Sequence, residues 1–181
     1  MILYIHGFRT TNNSYTSKIL KKYFKKNIIL ADHPTQPKDA IKYLENLIES
    51  NNITLLIASS LGGYYATYLS EKYSLKTVLI NPSVNPYKTT KTYLGQNTTQ
   101  DGVKFLWKKK SLKQLEKFKI KQKHLHSQRF LLFLQKADKV LNYKVALKRY
   151  PKAKKIVEKG GTHRFENLER HLKSISLFSK K

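Results

Sequence analysis

Ile53-Thr54-Leu55-Leu56-Ile57-Ala58-Ser59-Ser60-Leu61-Gly62-Gly63-Tyr64-Tyr65-Ala66-Thr67-Tyr68-Leu69 is the stretch whose reading decides the fold. Residues 53–57 make an apolar run of strand length, and residues 64–69 read as a helix, so the six residues between them form a strand-to-helix turn. Within that turn Ser60 has Ala58 two positions before it and Gly62 two positions after. A serine flanked by small residues in this way is the pattern of a nucleophile elbow. The turn is so tight that a larger side chain at either flank would strike the neighbouring strand or helix. Ser59 does not fit, because its flanks are Ile57 and Leu61. Alone the match is a weak signal, since ordinary strand–helix junctions produce it too, and Ser60 needs partners elsewhere in the chain.

The 181 residues, 40% of them hydrophobic, suit one domain with a sizeable core. Mean hydropathy is −0.55, and no apolar stretch approaches the ~18 residues needed to cross a bilayer. Met1-Ile2-Leu3-Tyr4-Ile5 lacks both a basic leader and a long apolar region, so no signal peptide is expected and the cytoplasm is the expected compartment. The absence of cysteine excludes disulfides, thiolate metal sites and a cysteine nucleophile.

A formal net charge of +25 invites a different reading, because phosphate backbones and anionic surfaces attract such a protein. Yet 31 of the 36 basic residues are lysines and only five are arginines, the residue suited to bidentate phosphate and base contacts. The lysines are spread over nearly every segment, as a lysine-biased background composition also produces. Nucleic acid is therefore not the expected partner.

Apolar runs of strand length alternate with amphipathic helical stretches, the signature of a parallel sheet covered on both faces. Strands are expected at 2–5, 27–31, 53–58, 76–80, 130–135 and 154–157, and helices at about 13–26, 38–50, 61–73, 142–149 and 165–178. In the second helix Ile41, Leu44 and Ile48 share a stripe with Leu47, while Lys42, Glu45 and Glu49 turn outward. About fifty residues separate the fourth and fifth strands, a connection long enough to be functional or to carry elements of its own. Phe105-Leu106-Trp107 and the amphipathic piece around Leu112, Leu115 and Phe118 could cap a site or simply complete the sheet's cover.

Serine hydrolysis requires a base, an acid to orient it, and two amide donors for the oxyanion. In a doubly wound hydrolase sheet the chain order is Ser, then Asp or Glu, then His. Ala137-Asp138-Lys139-Val140 follows the fifth expected strand, and Gly160-Gly161-Thr162-His163 follows the sixth. Both lie at carboxyl ends of strands, where ligands bind in open parallel sheets. Only 11 acidic residues exist in the chain, so Asp138 at such a place is informative. Leu61 offers the first oxyanion N–H at a helix start. The loop after the first strand, Tyr4-Ile5-His6-Gly7-Phe8, offers the second through Phe8, with His6 read as a structural side chain and His6, Gly7 and Gly62 as supports.

These residues resemble the small α/β-hydrolase esterases of the YqiA/YcfP type over nearly the full length. The marks are Tyr4-Ile5-His6-Gly7-Phe8, Ser59-Ser60-Leu61-Gly62-Gly63-Tyr64-Tyr65-Ala66, Ile80-Asn81-Pro82, Tyr93-Leu94-Gly95-Gln96-Asn97, Asp138-Lys139-Val140-Leu141-Asn142-Tyr143 and Glu158-Lys159-Gly160-Gly161-Thr162-His163-Arg164-Phe165. The resemblance implies Ser60 as nucleophile, Asp138 as acid and His163 as base. It implies an α/β-hydrolase fold with a six-stranded parallel sheet in the order 2-1-3-4-5-6. Esterase or thioesterase activity on small acyl substrates, without cofactor or metal, is implied as well. A single domain spanning 1–181 is expected, with 82–128 as a cap-like insert. Ala58, Ala137 and Lys139 depart from the family pattern. Lys139 is expected to help keep Asp138 ionised and to disfavour the imidazolium of His163, which favours somewhat alkaline conditions.

Two rival readings stay open. One is a non-catalytic basic protein binding nucleic acid or other polyanions through Trp107-Lys108-Lys109-Lys110 and the cluster from Lys117 to Lys123. The other keeps the fold as a scaffold without turnover. His124 and His126 would share one side of a strand but have no third ligand nearby, and His171 reads as a surface residue.

Overall fold

The computed structural model describes residues 1–180. Its elements run β1 (Ile2–Ile5), α1 (Tyr15–Phe24), β2 (Ile28–Leu30), α2 (Pro37–Ser50), β3 (Leu55–Ser59), α3 (Leu61–Tyr73), β4 (Lys76–Ile80) and α4 (Pro86–Thr89). They continue through β5 (Gly95–Thr98), β6 (Lys104–Trp107), α5 (Lys109–Lys117), β7 (Phe130–Gln135), α6 (Tyr143–Arg149), β8 (Lys154–Glu158) and α7 (Leu172–Lys180).

Six strands form one sheet in the order β2-β1-β3-β4-β7-β8, every neighbouring pair parallel. Counting only these strands, that is the 2-1-3-4-5-6 order expected. The strand pleat divides each apolar run between two cores. Ile2 and Tyr4 join Leu55, Ile57 and Phe133 on the face covered by Leu20 of α1 and by Ile175 and Phe178 of α7. Leu3 and Ile5 join Leu56, Ala58 and Leu132 on the face covered by α2, α3 and part of the segment after β4.

Local signals set the helices. Ser14 caps α1 by accepting from the Ser17 amide at 3.2 Å. Pro37 opens α2, whose Ala40, Ile41, Leu44 and Ile48 are buried at helical spacing. The segment between β4 and β7 carries α4, the antiparallel hairpin β5–β6 and α5. It is pinned to the main body by bonds from the Gln36 side chain to the Leu106 carbonyl, 2.9 Å, and from the Tyr64 hydroxyl to the Leu115 carbonyl, 2.8 Å.

Four local expectations are corrected. The helix expected from residue 165 begins at Leu172, because Phe165 and Asn167 hold left-handed conformations, φ 62° and φ 57°, that no helix accepts. His124 and His126 lie on no strand: His124 ends a 3₁₀ turn at 122–124, His126 immediately precedes another at 127–129, and His126 bonds Glu71 at 2.7 Å. His171 is half-buried, bonding Glu158 at 2.7 Å and packing against Phe133 and Phe165. Trp107, offered above as part of a polyanion-binding cluster, is 1% exposed and packs edge-on against Phe8, so its ring face is unavailable for base stacking.

Candidate active site

The turn between β3 and α3 is the structural centre of the site. Ser60 sits at φ 50°, ψ −123°, a conformation that non-glycine residues rarely adopt. Its surroundings enforce it. The Ser60 amide donates to the Ile80 carbonyl of β4 at 3.1 Å, and the Ser60 carbonyl accepts from the amides of Gly63, 3.0 Å, and Ser83, 2.9 Å. A Cβ on Gly62 would lie 2.3 Å from the Ile5 carbonyl oxygen and 2.4 Å from that of His6. Only glycine lets α3 start this close to the end of β1, the strand beside β3 in the sheet. The same crowding appears at Gly7, where a Cβ would meet the Ser60 Cβ at 2.9 Å.

The loops after β7 and β8 bring the other two residues to Ser60. His163 Nε2 lies 2.9 Å from Ser60 Oγ, and His163 Nδ1 lies 2.8 Å from Asp138 Oδ2, across sequence separations of 103 and 25 residues. Because an ionised carboxylate only accepts, Nδ1 carries the proton and donates it to Asp138, leaving the Nε2 lone pair to accept the Ser60 hydroxyl. The Asp138 side chain is 2% exposed. Its Oδ1 accepts from the amides of Val140, 2.8 Å, and Leu141, 3.0 Å. Burial pushes the carboxyl pKa up, but the bond from His163 and those two amides outweigh it and hold it below the usual carboxylate range. Lys139, expected to perform that service, is exposed, and the groups that chiefly hold Asp138 ionised are His163 and the two amides.

Phe8 and Leu61 line the same cleft as Ser60 and His163. Leu61 is the first residue of α3, so its N–H has no intrahelical partner. Among the described residues the Phe8 amide also finds no acceptor. His6 is 4% exposed, bonded through Nδ1 to the Gly7 carbonyl at 3.0 Å, and stacked on His33 with ring centroids 3.8 Å apart. Burial, then the neighbouring His33, lower its pKa to about 3, against the opposing effect of the Gly7 bond. It is neutral at physiological pH and supports the loop.

Sequence reasoning missed the residues that hold the His163 loop. Buried Gln135, at the end of β7, accepts through Oε1 from the amides of Thr162, 3.0 Å, and Glu166, 2.9 Å. Its Nε2 donates to Glu158 at 2.7 Å and to the Glu166 carbonyl at 2.9 Å. A Cβ on Gly161 would sit 2.1 Å from the Gln135 amide, and Gly161 has φ 77° besides. Asn81, at φ 40°, donates to the carbonyls of Thr162, 3.0 Å, and His163, 3.2 Å. For Gln135 the advance signal was a polar residue closing a strongly apolar strand; Asn81 and Gly161 stood among the marks of the family resemblance, with no role attached to them. His33 carried no signal at all.

The cleft over Ser60 holds about 710 Å³, with a smaller lobe of about 140 Å³ beside Ser60 and His163 on the side of Tyr4 and Ser59. The segment between β4 and β7 supplies one wall, including Thr89, Tyr93 and Thr98. Among the described residues no group of three or more His, Cys, Asp or Glu side chains is arranged to hold a metal ion, and no helix is long and apolar enough to cross a membrane.

This sheet with a strained serine on its central elbow defines the α/β-hydrolase fold, and solved structures agree. Est1E from Butyrivibrio proteoclasticus, with ferulic acid bound, superposes with a TM-score of 0.74 at 14% identity, over 99% of this chain and 86% of that one. Alpha/beta hydrolase domain-containing protein 10 from mouse gives 0.72 at 16% identity, over 97% and 87%. A monoacylglycerol lipase from Paleococcus ferrophilus gives 0.71 at 14%, over 99% and 93%. Within that fold the chain belongs to the uncharacterised protein family UPF0227, whose model matches residues 1–180. The UPF0227 protein YcfP of Escherichia coli is 24% identical over 187 residues, covering 98% of each chain. A UPF0227 protein of Shewanella woodyi is 33% identical over 94 residues, which span 48% of this chain and 52% of that one.

Proposed function

We propose that the protein is a serine hydrolase of carboxylic esters or acyl thioesters, acting through Ser60, His163 and Asp138. The observation that carries this reading is the unbroken hydrogen-bonded line from the Ser60 hydroxyl through both ring nitrogens of His163 to a buried carboxylate. The turn that Asp138 caps through Val140 and Leu141 accounts for its Oδ1 alone, not for the alignment of Oδ2, the imidazole and the serine hydroxyl. A backbone as unfavourable as that of Ser60 costs about 1–3 kcal/mol, and such strain concentrates where it serves chemistry.

In the first step Ser60 Oγ bonds to the acyl carbon while its proton passes to His163 Nε2. The amides of Phe8 and Leu61 receive the oxyanion, aided by the positive end of α3. His163 then gives the proton to the departing alcohol or thiol as its bond to the acyl carbon breaks. Water enters, loses a proton to Nε2 and cleaves the acyl–serine bond, and Ser60 recovers its hydrogen. Asp138 holds the Nδ1–H tautomer and stabilises the imidazolium that forms twice per cycle. In this reading the chain is one domain, with residues 82–128 as a cap over the cleft.

Hydrolysis of nitrophenyl butyrate by wild type and Ser60→Ala, together with labelling by a fluorophosphonate, tests the assignment. Turnover and labelling that both vanish in Ser60→Ala are expected. A wild-type protein that is neither labelled nor active is a scaffold. Binding to duplex nucleic acid with steep salt dependence and indifference to Ser60 would favour the polyanion-binding alternative.

A further inference from the structure

The distribution of arginine around the molecule is not that of the lysines. The chain has 31 lysines and five arginines. One lysine, Lys139, lines the cleft over Ser60, whereas two of the five arginines, Arg9 and Arg164, do. The proportion in the cleft is the reverse of that in the chain as a whole.

The five arginines also differ in what their terminal nitrogens do. Outside the cleft each is engaged: Arg129 on Glu71 at 3.4 Å, Arg149 on Gln122 at 2.7 Å, and Arg170 on Glu158 at 3.0 Å. Inside the cleft they are not. Arg9 uses Nε alone, on the Thr98 carbonyl at 3.2 Å, so both terminal nitrogens lack an acceptor among the described residues. Arg164 has no hydrogen bond or ion pair among them.

Arg9 is placed rather than merely present. It holds a left-handed backbone at φ 58°, its carbonyl accepts from the Gln100 amide at 2.9 Å, and its guanidinium lies over the Tyr93 ring at 5.6 Å. Gln100 and Tyr93 belong to the segment between β4 and β7, so that segment and the loop after β1 together fix the charge at the cleft wall. Arg164 immediately follows His163.

The rest of the lining agrees with this. No carboxylate side chain lines the cleft, and six threonines do. Phe8, Leu61, Tyr93, Val140 and Leu141 supply the apolar part of the lining, enough for a short acyl or alkyl group. Hydroxyls, two guanidiniums with free terminal nitrogens and one ammonium make the rest a poor host for a long alkyl chain, which gains affinity by burying apolar area. It is a good host for oxygen-rich anions, which guanidinium forks grip with charge-assisted, bidentate bonds.

Resting on the hydrolase reading of Ser60, we infer that the substrate is a compact polar ester carrying a carboxylate or phosphate, held by Arg9 and Arg164 with Lys139 adding charge at the mouth. The anion sits on the acid part or on the alcohol part, and each arrangement has its own matched probes.

For the acid part the pair is 4-nitrophenyl hydrogen glutarate and its neutral methyl ester. For the alcohol part it is 4-butyryloxybenzoate and its methyl ester. In one of the two pairs wild type should prefer the anion at least tenfold in kcat/KM, mainly through KM. Arg9→Gln and Arg164→Gln should each lower that preference at least threefold. Equal rates on both members of both pairs overturn the inference while leaving the hydrolase reading intact.

A preference that persists in the double variant but collapses between 50 and 500 mM salt would assign it to the general +25 field, and also overturns the subsite. A readout independent of turnover is calorimetric titration of Ser60→Ala with 4-nitrophenyl hydrogen glutarate and with 4-butyryloxybenzoate. Saturable binding of one of them, weakened at least threefold in Ser60→Ala/Arg9→Gln, is expected. No binding of either refutes the anion subsite even where the nitrophenyl butyrate assay succeeds. An unlabelled, inactive wild type that still binds the anion through Arg9 would sink the hydrolase reading and, with it, the substrate assignment.

Discussion

Ser60 is held in an unfavourable backbone conformation by three hydrogen bonds and by two glycines that leave no space for a β-carbon. The price of that geometry is visible at Gly62. Gly62→Ala would push a methyl against the carbonyl oxygens of Ile5 and His6, at the end of β1 and in the loop that follows it, and such overpacking costs about 1–3 kcal/mol or more. At about 2–4 °C per kcal/mol for a domain of this size, thermal unfolding should drop by at least about 2 °C. An unchanged midpoint would mean that the elbow is looser than its contacts imply. Asp138 makes a different demand, because it orients rather than reacts. Asp138→Asn keeps the shape, but its carbonyl oxygen stays with the Val140 and Leu141 amides and its NH2 donor replaces Oδ2, so Nδ1 must accept and the imidazole is presented in the wrong tautomer. Esterase kcat should fall about 10⁴-fold with the fold intact by circular dichroism. A loss below tenfold would remove Asp138 from the proposed mechanism.

At the scale of elements, the His163 loop depends on the ends of two strands that it does not belong to. Gln135 at the end of β7 and Asn81 just past β4 take up its backbone groups. Gln135→Leu would orphan two amides, each costing about 1–3 kcal/mol when left buried and unpaired. The loop should then relax away from Ser60, lowering kcat about tenfold with KM little changed, the pattern of lost alignment rather than lost binding. A folded variant with wild-type kcat would show that Gln135 serves stability alone. The same loop explains why the expected helix at 165 starts late. Its apolar residues Phe165 and Leu168 are buried, but Phe165 and Asn167 take left-handed conformations and a 3₁₀ turn at 168–171 precedes the helix, so no helical stripe carries them.

For the whole molecule, the decisive titrating groups at mildly acid pH are buried histidines. His6, lowered to about 3, and His33, lowered by its complete burial, stay neutral in the native state while their unfolded counterparts take up protons below about 6.5. The unfolded state then binds more protons, so native stability is full above about pH 6.5 and is lost as pH falls toward 3. The loss is up to about 1.4 kcal/mol per pH unit for each histidine. Denaturant midpoints measured from pH 7.5 to pH 4.5 should fall accordingly, and more gently in His6→Gln. A midpoint flat over that range would contradict the buried neutral pair. Asp138 acts in the same direction lower down. Its pKa is held below the usual value, so the stability it confers is present at neutral pH and disappears only as pH falls through that depressed value.

The sequence by itself determined the sheet, because strands buried on both faces must be largely apolar, and the runs of β1, β3, β4 and β7 are, while the edge strand β8, Lys154–Glu158, was marked only by its Ile156-Val157 pair. It also marked Ser60, Asp138, His163 and Gly62, since the elbow and the strand ends demand particular residue types at short range. Their meeting within hydrogen-bond distance was decided by tertiary structure. So were the support of the histidine loop by Gln135 and Asn81, the stacking of His6 on His33 and the gathering of Arg9 and Arg164 at one cleft. Those relations join residues scores of positions apart, and polar partnerships of that reach leave no periodicity in a chain for a reader to find.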